Sequence, residues 1–181
     1  MTHVLFKPWQ KGIDDAVIRG HQLIAGRHKS NRKLNNYADI LPDDRKIPFL
    51  ASPFKQSTYF NATLFDDWLG DSGQPVPKVY IASSGPNTNS INQFWHMVWE
   101  RGVEVVVMLT KLQENGRIKC AQYYPTLQAS VKAVAQNDNG KSIKIECLSE
   151  TPITSDDNKN IIGVTRCFNI KLFDAKNGNF L

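Results

Sequence analysis

The sequence predicts an α/β (α+β) domain, and three observations carry that prediction. A helix with a marked start and stop, Ser90 to Gly102, runs directly into the Val-rich stretch Val103 to Leu109. Two β-prone runs, Tyr59 to Thr63 and Val79 to Ser83, are separated by a segment rich in Gly, Pro and Asp. Two later runs, Lys141 to Leu148 and Cys167 to Leu172, alternate apolar and polar residues with the period of a strand. A helix feeding a strand, with further strands on both sides in sequence, is the pattern of packed helix and sheet layers.

In chain order, Ile13 to Arg27 places Ile13, Val17, Gly20, His21 and Ile24 at helical spacing. Asp14 and Asp15 fall near the positive end of the dipole, so a surface-lying helix is expected. His21 on that stripe reads as a half-buried contact, because no Cys, Asp or second His follows at metal-ligand spacing. Tyr59 to Thr63 and Val79 to Ser83 read as a strand pair joined by the long loop Asp66 to Lys78. Ser90 with Gln93 three residues on makes a capping box ahead of Ile91, Phe94, Trp95, Val98 and Trp99, and Gly102 supplies the stop. Val103 to Leu109 is nearly all apolar, which predicts a strand buried on both faces. In Lys141 to Leu148, Ile143, Ile145 and Cys147 face in, opposite Lys144 and Glu146. After the polar turn Thr154 to Asn160, Phe168, Ile170 and Leu172 alternate with Cys167, Asn169 and Lys171, which puts Cys167 on the more polar face.

With 181 residues and a 41% apolar fraction, the chain has the size and core material of one domain, residues 1–181. Its formal charge of +5 is concentrated only in Arg27, His28, Lys29, Arg32 and Lys33. That patch reads as a solvated helix end, so no nucleic-acid partner is expected. No run of about 18 apolar residues exists and Met1 to Asp15 lacks signal-peptide grading, so a cytoplasmic protein without membrane contact is expected. Cys120, Cys147 and Cys167 are odd in number and lack C-x-x-C spacing, which favours reduced thiols over a disulfide framework or a zinc site. No metal and no cofactor are expected.

A run of motifs then becomes specific. Asn31-Arg32-Lys33-Leu34-Asn35-Asn36-Tyr37-Ala38-Asp39-Ile40-Leu41-Pro42 resembles the N-x-x-K-N-R-Y-x-D-I-L-P segment of protein-tyrosine phosphatase domains. Tyr59-Phe60-Asn61-Ala62 is similar to their Y-I-N-A, and Tyr80 to Pro86 to their Y-I-A-x-Q-G-P. Ser90 through Glu100 resembles T-x-x-D-F-W-x-M-V-W-E, Val105 to Thr110 the I-V-M-L-T strand, and Glu114 to Pro125 E-x-G-R-x-K-C-x-x-Y-W-P. Six motifs in one order identify the chain as similar to that family, with residues 31–125 bearing the motifs, 1–30 a helical segment ahead of them and 126–181 further strands. The resemblance implies a twisted mixed sheet flanked by helices. Departures are present: Leu34 stands for Lys, Asn36 for Arg, Ser84 for Gln, Gln93 for Asp and Tyr124 for Trp. They suggest a relaxed member, and the compact segment ahead of Asn31 is similar to virus-encoded phosphatases of the bracovirus type.

By resemblance, Tyr37 stacks on a phosphotyrosine ring and sets pocket depth, and Asp39 bonds the substrate backbone. Glu114 and Lys119 match residues that support the phosphate loop and the acid loop. The chemistry needs a thiolate of lowered pKa in a cradle of backbone N–H groups, closed by an Arg. The family writes this as H-C-x-x-G-x-x-R. Cys120 follows Lys119, Cys147 follows Glu146 and Cys167 follows Arg166, so none fits. The W-P-D acid loop also has no counterpart, since Trp9, Trp68, Trp95 and Trp99 all lie upstream of where it would fall. The expectation is therefore a phosphatase-like fold truncated before both loops, with no catalytic residue and at most weak contact with phosphotyrosine proteins. A phosphotyrosine-binding decoy and the N-terminal part of an active enzyme are the alternatives. Self-association is expected as well, because Val103 to Leu109 needs cover on two faces.

Overall fold

The computed structural model describes residues 22–51, 57–65, 80–129, 131–134, 137, 139–156 and 160–174. The short helix α1, Ile24–Arg27, falls inside the span expected to be helical from Ile13 but begins at Ile24, because Gln22 and Leu23 are not helical. The rest of that expectation, His21 included, lies outside the described residues, as does the loop Asp66 to Lys78. The first turn of α1 is held from twenty residues away, where the Asp44 carboxylate accepts from the amides of Ile24 at 2.8 Å and Ala25 at 3.1 Å. That carboxylate satisfies donors with no intrahelical partner and sits at the positive end of the helix.

Strand β1, Ala62–Phe65, pairs antiparallel with β2, Tyr80–Ser83, as the two β-prone runs suggest. Helix α2, Ile91–Glu100, occupies the expected span and ends at Gly102, whose φ of +58° is the left-handed conformation that closes a helix. The capping box does not form. Ser90 Oγ accepts from the Asn87 amide at 3.0 Å and turns back toward that residue, so it closes the tight turn before the helix and makes no cap bond to it.

The two-residue strands β3, Gln113–Glu114, and β4, Arg117–Ile118, form a hairpin whose turn holds Asn115 and Gly116 at positive φ. Strands β5, Val131–Val134, β6, Lys141–Thr154, and β7, Ile161–Asp174, form an antiparallel sheet in the order β5-β6-β7. The mixed α/β class is the expected one, and every described strand pair is antiparallel.

The main core lies between α2 and this sheet, where Phe94, Trp95, Met97 and Val98 meet Phe60, Tyr123, Ile143 and Ile145. The inward alternation of β6 is as expected, with Ile143, Ile145 and Cys147 buried and Cys167 exposed on β7. Trp95 fixes the layers, donating from Nε1 to the Tyr123 carbonyl at 2.8 Å and meeting Phe168 edge-on at 5.9 Å. Beyond a bulge at Leu148, Glu150 and Arg166 pair across the strands at 2.6 Å, and the guanidinium lies 4.7 Å from the Tyr124 ring centroid.

Val103 to Leu109 differs from its expected state. No strand forms there, and Val105, Val107 and Leu109 are 75%, 73% and 90% exposed. Apolar composition makes a buried strand possible only where neighbours supply ladder bonds and cover, and among the described residues none pairs with this run.

Candidate functional site

The segment Asn31 to Pro42 has little regular structure beyond the 3₁₀ turn Arg32–Leu34, so side-chain bonds must give it shape. Five asparagines do this. Asn31 Nδ2 donates to the Ala25 carbonyl at 2.9 Å and Asn35 Nδ2 to the Gly26 carbonyl at 3.0 Å, tying the segment to α1. Asn35 Oδ1 accepts from the Tyr59 hydroxyl at 2.7 Å and from Asn61 Nδ2 at 2.9 Å, and Asn61 Nδ2 also reaches the Ile40 carbonyl at 3.1 Å. Asn36 Nδ2 donates to the Gly85 carbonyl at 2.7 Å, and Asn87 Nδ2 to the Lys33 carbonyl at 3.1 Å. The last two join the segment to the chain just before α2. Burial of the Tyr59 hydroxyl raises its pKa, so it stays a neutral donor to Asn35.

Residues 84–86 in turn carry the chain just after β4, where Lys119 lies. Ala121 donates its amide to the Pro86 carbonyl at 2.8 Å, and a Cβ on Gly85 would lie only 3.0 Å from Cys120 Sγ, so the close approach needs glycine.

These bonds bring Tyr37 and Lys119 together across 82 residues of sequence. Lys119 Nζ donates to the Tyr37 hydroxyl at 3.2 Å and stands 5.7 Å from the ring centroid, within cation–π range. The Tyr37 ring is 43% exposed, so an aromatic ligand can reach it. Asp39 is exposed two residues further along the same segment. Glu114 sits apart in the β3–β4 hairpin, half-buried, its carboxylate accepting from the Lys111 amide at 3.2 Å. Two of the four residues singled out from the sequence thus meet. The asparagines that position them, Asn35, Asn36, Asn61 and Asn87, carry no sequence signal except that Asn35, Asn36 and Asn61 fall inside recognisable motifs.

The thiols show no sign of activation. Cys120 and Cys147 are buried, and desolvation pushes both above the usual thiol range. Cys167 is exposed on β7. Among the described residues no group of three or more His, Cys, Asp or Glu side chains is arranged to hold a metal.

An aromatic side chain braced by a cation thus stands on an α/β frame of antiparallel sheets. The comparisons with known proteins show which family this frame belongs to. The family model for protein-tyrosine phosphatase matches residues 31–171, and the chain belongs to that family. It is 37% identical over 109 residues to receptor-type tyrosine-protein phosphatase C of Mus musculus, covering 59% of this chain and 8% of that protein. Against receptor-type tyrosine-protein phosphatase zeta of Rattus norvegicus the identity is 41% over 106 residues, covering 56% and 4%. Against tyrosine-protein phosphatase 1 of Caenorhabditis elegans it is 33% over 130 residues, covering 71% and 12%. The chain therefore spans only a small part of the relatives it matches.

Removing the Asn35 side chain tests the frame of this site. Asn35→Ala leaves the buried Tyr59 hydroxyl without its acceptor and removes one of the two side-chain bonds that tie the loop to α1. Burying an unsatisfied polar group costs about 1–3 kcal/mol, so a loss of that size is expected in chemical denaturation at unchanged m-value. A change below about 0.5 kcal/mol would show that water replaces the side chain at no cost.

Proposed function

We propose that this chain carries a phosphotyrosine-recognition loop without phosphatase chemistry of its own. Tyr37 offers the ring face and Asp39 a carboxylate for the peptide backbone, with Lys119 holding the Tyr37 ring in place. The observation that carries the second half of the reading is the state of the thiols: two of three are buried with raised pKa, and none lies in the signature that lowers a pKa and cradles a phosphate. Stacking contributes about 0.5–1.5 kcal/mol and the Asp39 bonds about as much, short of the roughly 8 kcal/mol of micromolar binding. Binding of phosphotyrosine peptides is accordingly millimolar or weaker.

The test is hydrolysis of a phosphotyrosine peptide by the 181-residue chain beside a version extended by the next hundred or so codons, with calorimetry on the same peptides. No turnover by the 181-residue chain is expected. Vanadate-sensitive turnover by that chain overturns the reading. Turnover only by the extended version supports the alternative that these residues are the N-terminal part of an active enzyme, a reading favoured by the ordered Tyr37–Lys119 pair. A phosphate-dependent dissociation constant below about 50 μM, lost in Tyr37→Ala, supports the decoy instead.

A further inference from the structure

A cavity of about 160 Å³ lies where the C-terminal half of α2 meets the start of β6 and the end of β7. Ala51, Trp99 and Leu172 give it apolar walls, and His96, Glu100, Asn137 and Lys141 give it polar ones. None of these residues belongs to the Tyr37 loop. Asn137 is the informative member, because it is 4% exposed and all but one of its hydrogen-bonding groups are used. Its backbone amide donates to the Lys141 carbonyl at 2.9 Å, and its carbonyl accepts from the Gly140 amide at 3.0 Å. Oδ1 accepts from the amides of Asn139 at 3.1 Å and Lys141 at 2.9 Å. Two amides donating to one side-chain atom identify it as the oxygen and fix the plane of the group. Nδ2 is therefore held in place, and among the described residues it has no acceptor. It is the polar atom that Asn137 has left for the cavity it lines. A buried amide donor is costly to leave unmade, so the cavity calls for an acceptor.

We propose that this cavity binds a small aromatic carboxylate, with the ring against Trp99 and Leu172 and the carboxylate on Asn137 Nδ2 and Lys141. The size fits a single ring, since a cavity of about 150 Å³ holds benzene and drug-sized ligands need about 300 Å³ or more. Trp99 is 38% exposed, so a ligand can enter beside it. The charge of the site favours an anion. Lys141 makes no ion pair among the described residues, and the Glu100 carboxylate is turned to the Ala51 amide, from which it accepts at 2.8 Å. His96 adds no charge near neutral pH, because burial lowers its pKa to about 4. A carboxylate on an ammonium and an amide makes the stronger, charge-assisted kind of hydrogen bond, which a neutral carbonyl does not.

Titration of the isotope-labelled 181-residue chain with sodium benzoate at neutral pH, followed by proton–nitrogen NMR, tests this. Saturable shifts of the Asn137 side-chain amide are expected, with a dissociation constant of about 1 mM for so small a ligand. Benzamide, of the same shape without the charge, should bind about fivefold more weakly or worse. Lys141→Gln keeps the stem and removes the charge, and it should bring benzoate down to the level of benzamide. Asn137→Asp keeps the oxygen that holds the turn and replaces the donor, so it should weaken both ligands by about tenfold. Absence of saturation up to about 20 mM benzoate overturns the proposal and leaves water as the acceptor. Equal affinity for benzoate and benzamide overturns the carboxylate, and benzoate binding unchanged in Lys141→Gln overturns the site. Lys141 is exposed, so that variant decides alone if Asn137→Asp does not fold.

Discussion

Trp95→Ala is expected to remove most of the stability of the fold. The indole is 2% exposed, at the meeting point of α2, β7 and the segment around Tyr123. Three consequences add. The truncation leaves a cavity between Phe94, Tyr123 and Phe168, whose rings lie 5.4, 6.1 and 5.9 Å from the indole. Truncating a buried aromatic of this size costs about 3–5 kcal/mol. The Tyr123 carbonyl loses its donor, which costs on the order of 1 kcal/mol more where water does not enter. The core also loses a side chain that bonds across its layers, so the remaining contacts become less cooperative. Native domains hold only about 5–15 kcal/mol in all, and this one leaves the apolar strip at 105–109 in water. Thermal unfolding should therefore fall by about 10 °C or more. Trp95→Phe keeps part of the volume and loses the hydrogen bond, and it should cost less than half as much. Equal losses for the two variants would mean that the bond to Tyr123 dominates, and a shift under about 3 °C for Trp95→Ala would show that the core closes over the gap.

The parts of this fold that were legible in the sequence are those whose signal is local. Helix α2 announces itself through Ile91, Phe94, Trp95 and Val98 at helical spacing and through Gly102. The inward face of β6 follows from Ile143, Ile145 and Cys147. The length of that strand does not, because residues 149–154 show no apolar alternation and include Pro152. Proline is tolerated there because β5 pairs with residues 143–146, so that among the described residues this part of β6 has β7 alone as a neighbour. The Val103 to Leu109 run misleads for the opposite reason: its composition reports what the residues would bury, not whether another strand is present to bury them. Ser90 misleads on a finer scale, since a hydroxyl beside Asn87 has two competing uses and the turn takes it. In the candidate site, Tyr37 and Lys119 were legible only through motifs. The asparagine bonds from Asn35 and Asn36, and the Asp44 cap on α1, span 9 to 83 residues and leave no periodic trace.

The stability of the chain should fall steeply as pH drops from about 6.5 toward 4, and His96 is the cause. It lies on the inner side of α2, 1% exposed, among Gln93, Met97 and the main core. Burial disfavours the imidazolium, so its pKa falls from 6.5 to about 4. The unfolded chain takes up a proton on this ring near pH 6.5, whereas the folded chain does not until about pH 4. Between those values the unfolded state holds more protons, and stability therefore decreases as pH falls through that window. At about 1.4 kcal/mol for each pH unit of difference, the full penalty below pH 4 is on the order of 3 kcal/mol. The alkaline side has its own limit with the opposite sign. Burial first, then the neighbouring Cys120 and Tyr124, push the Tyr123 phenol up to about 12, and burial raises Cys120 and Cys147 too. These acids stay neutral in the fold while the unfolded chain ionises, so stability falls again as pH climbs past about 9. Denaturant titrations at half-unit steps should trace a plateau between about pH 6.5 and 9 with losses on both sides. His96→Gln, which cannot titrate, should flatten the acid limb between pH 6.5 and 4 whatever it does to the plateau height. If that variant keeps the same acid slope, the proton uptake belongs to the carboxylates instead.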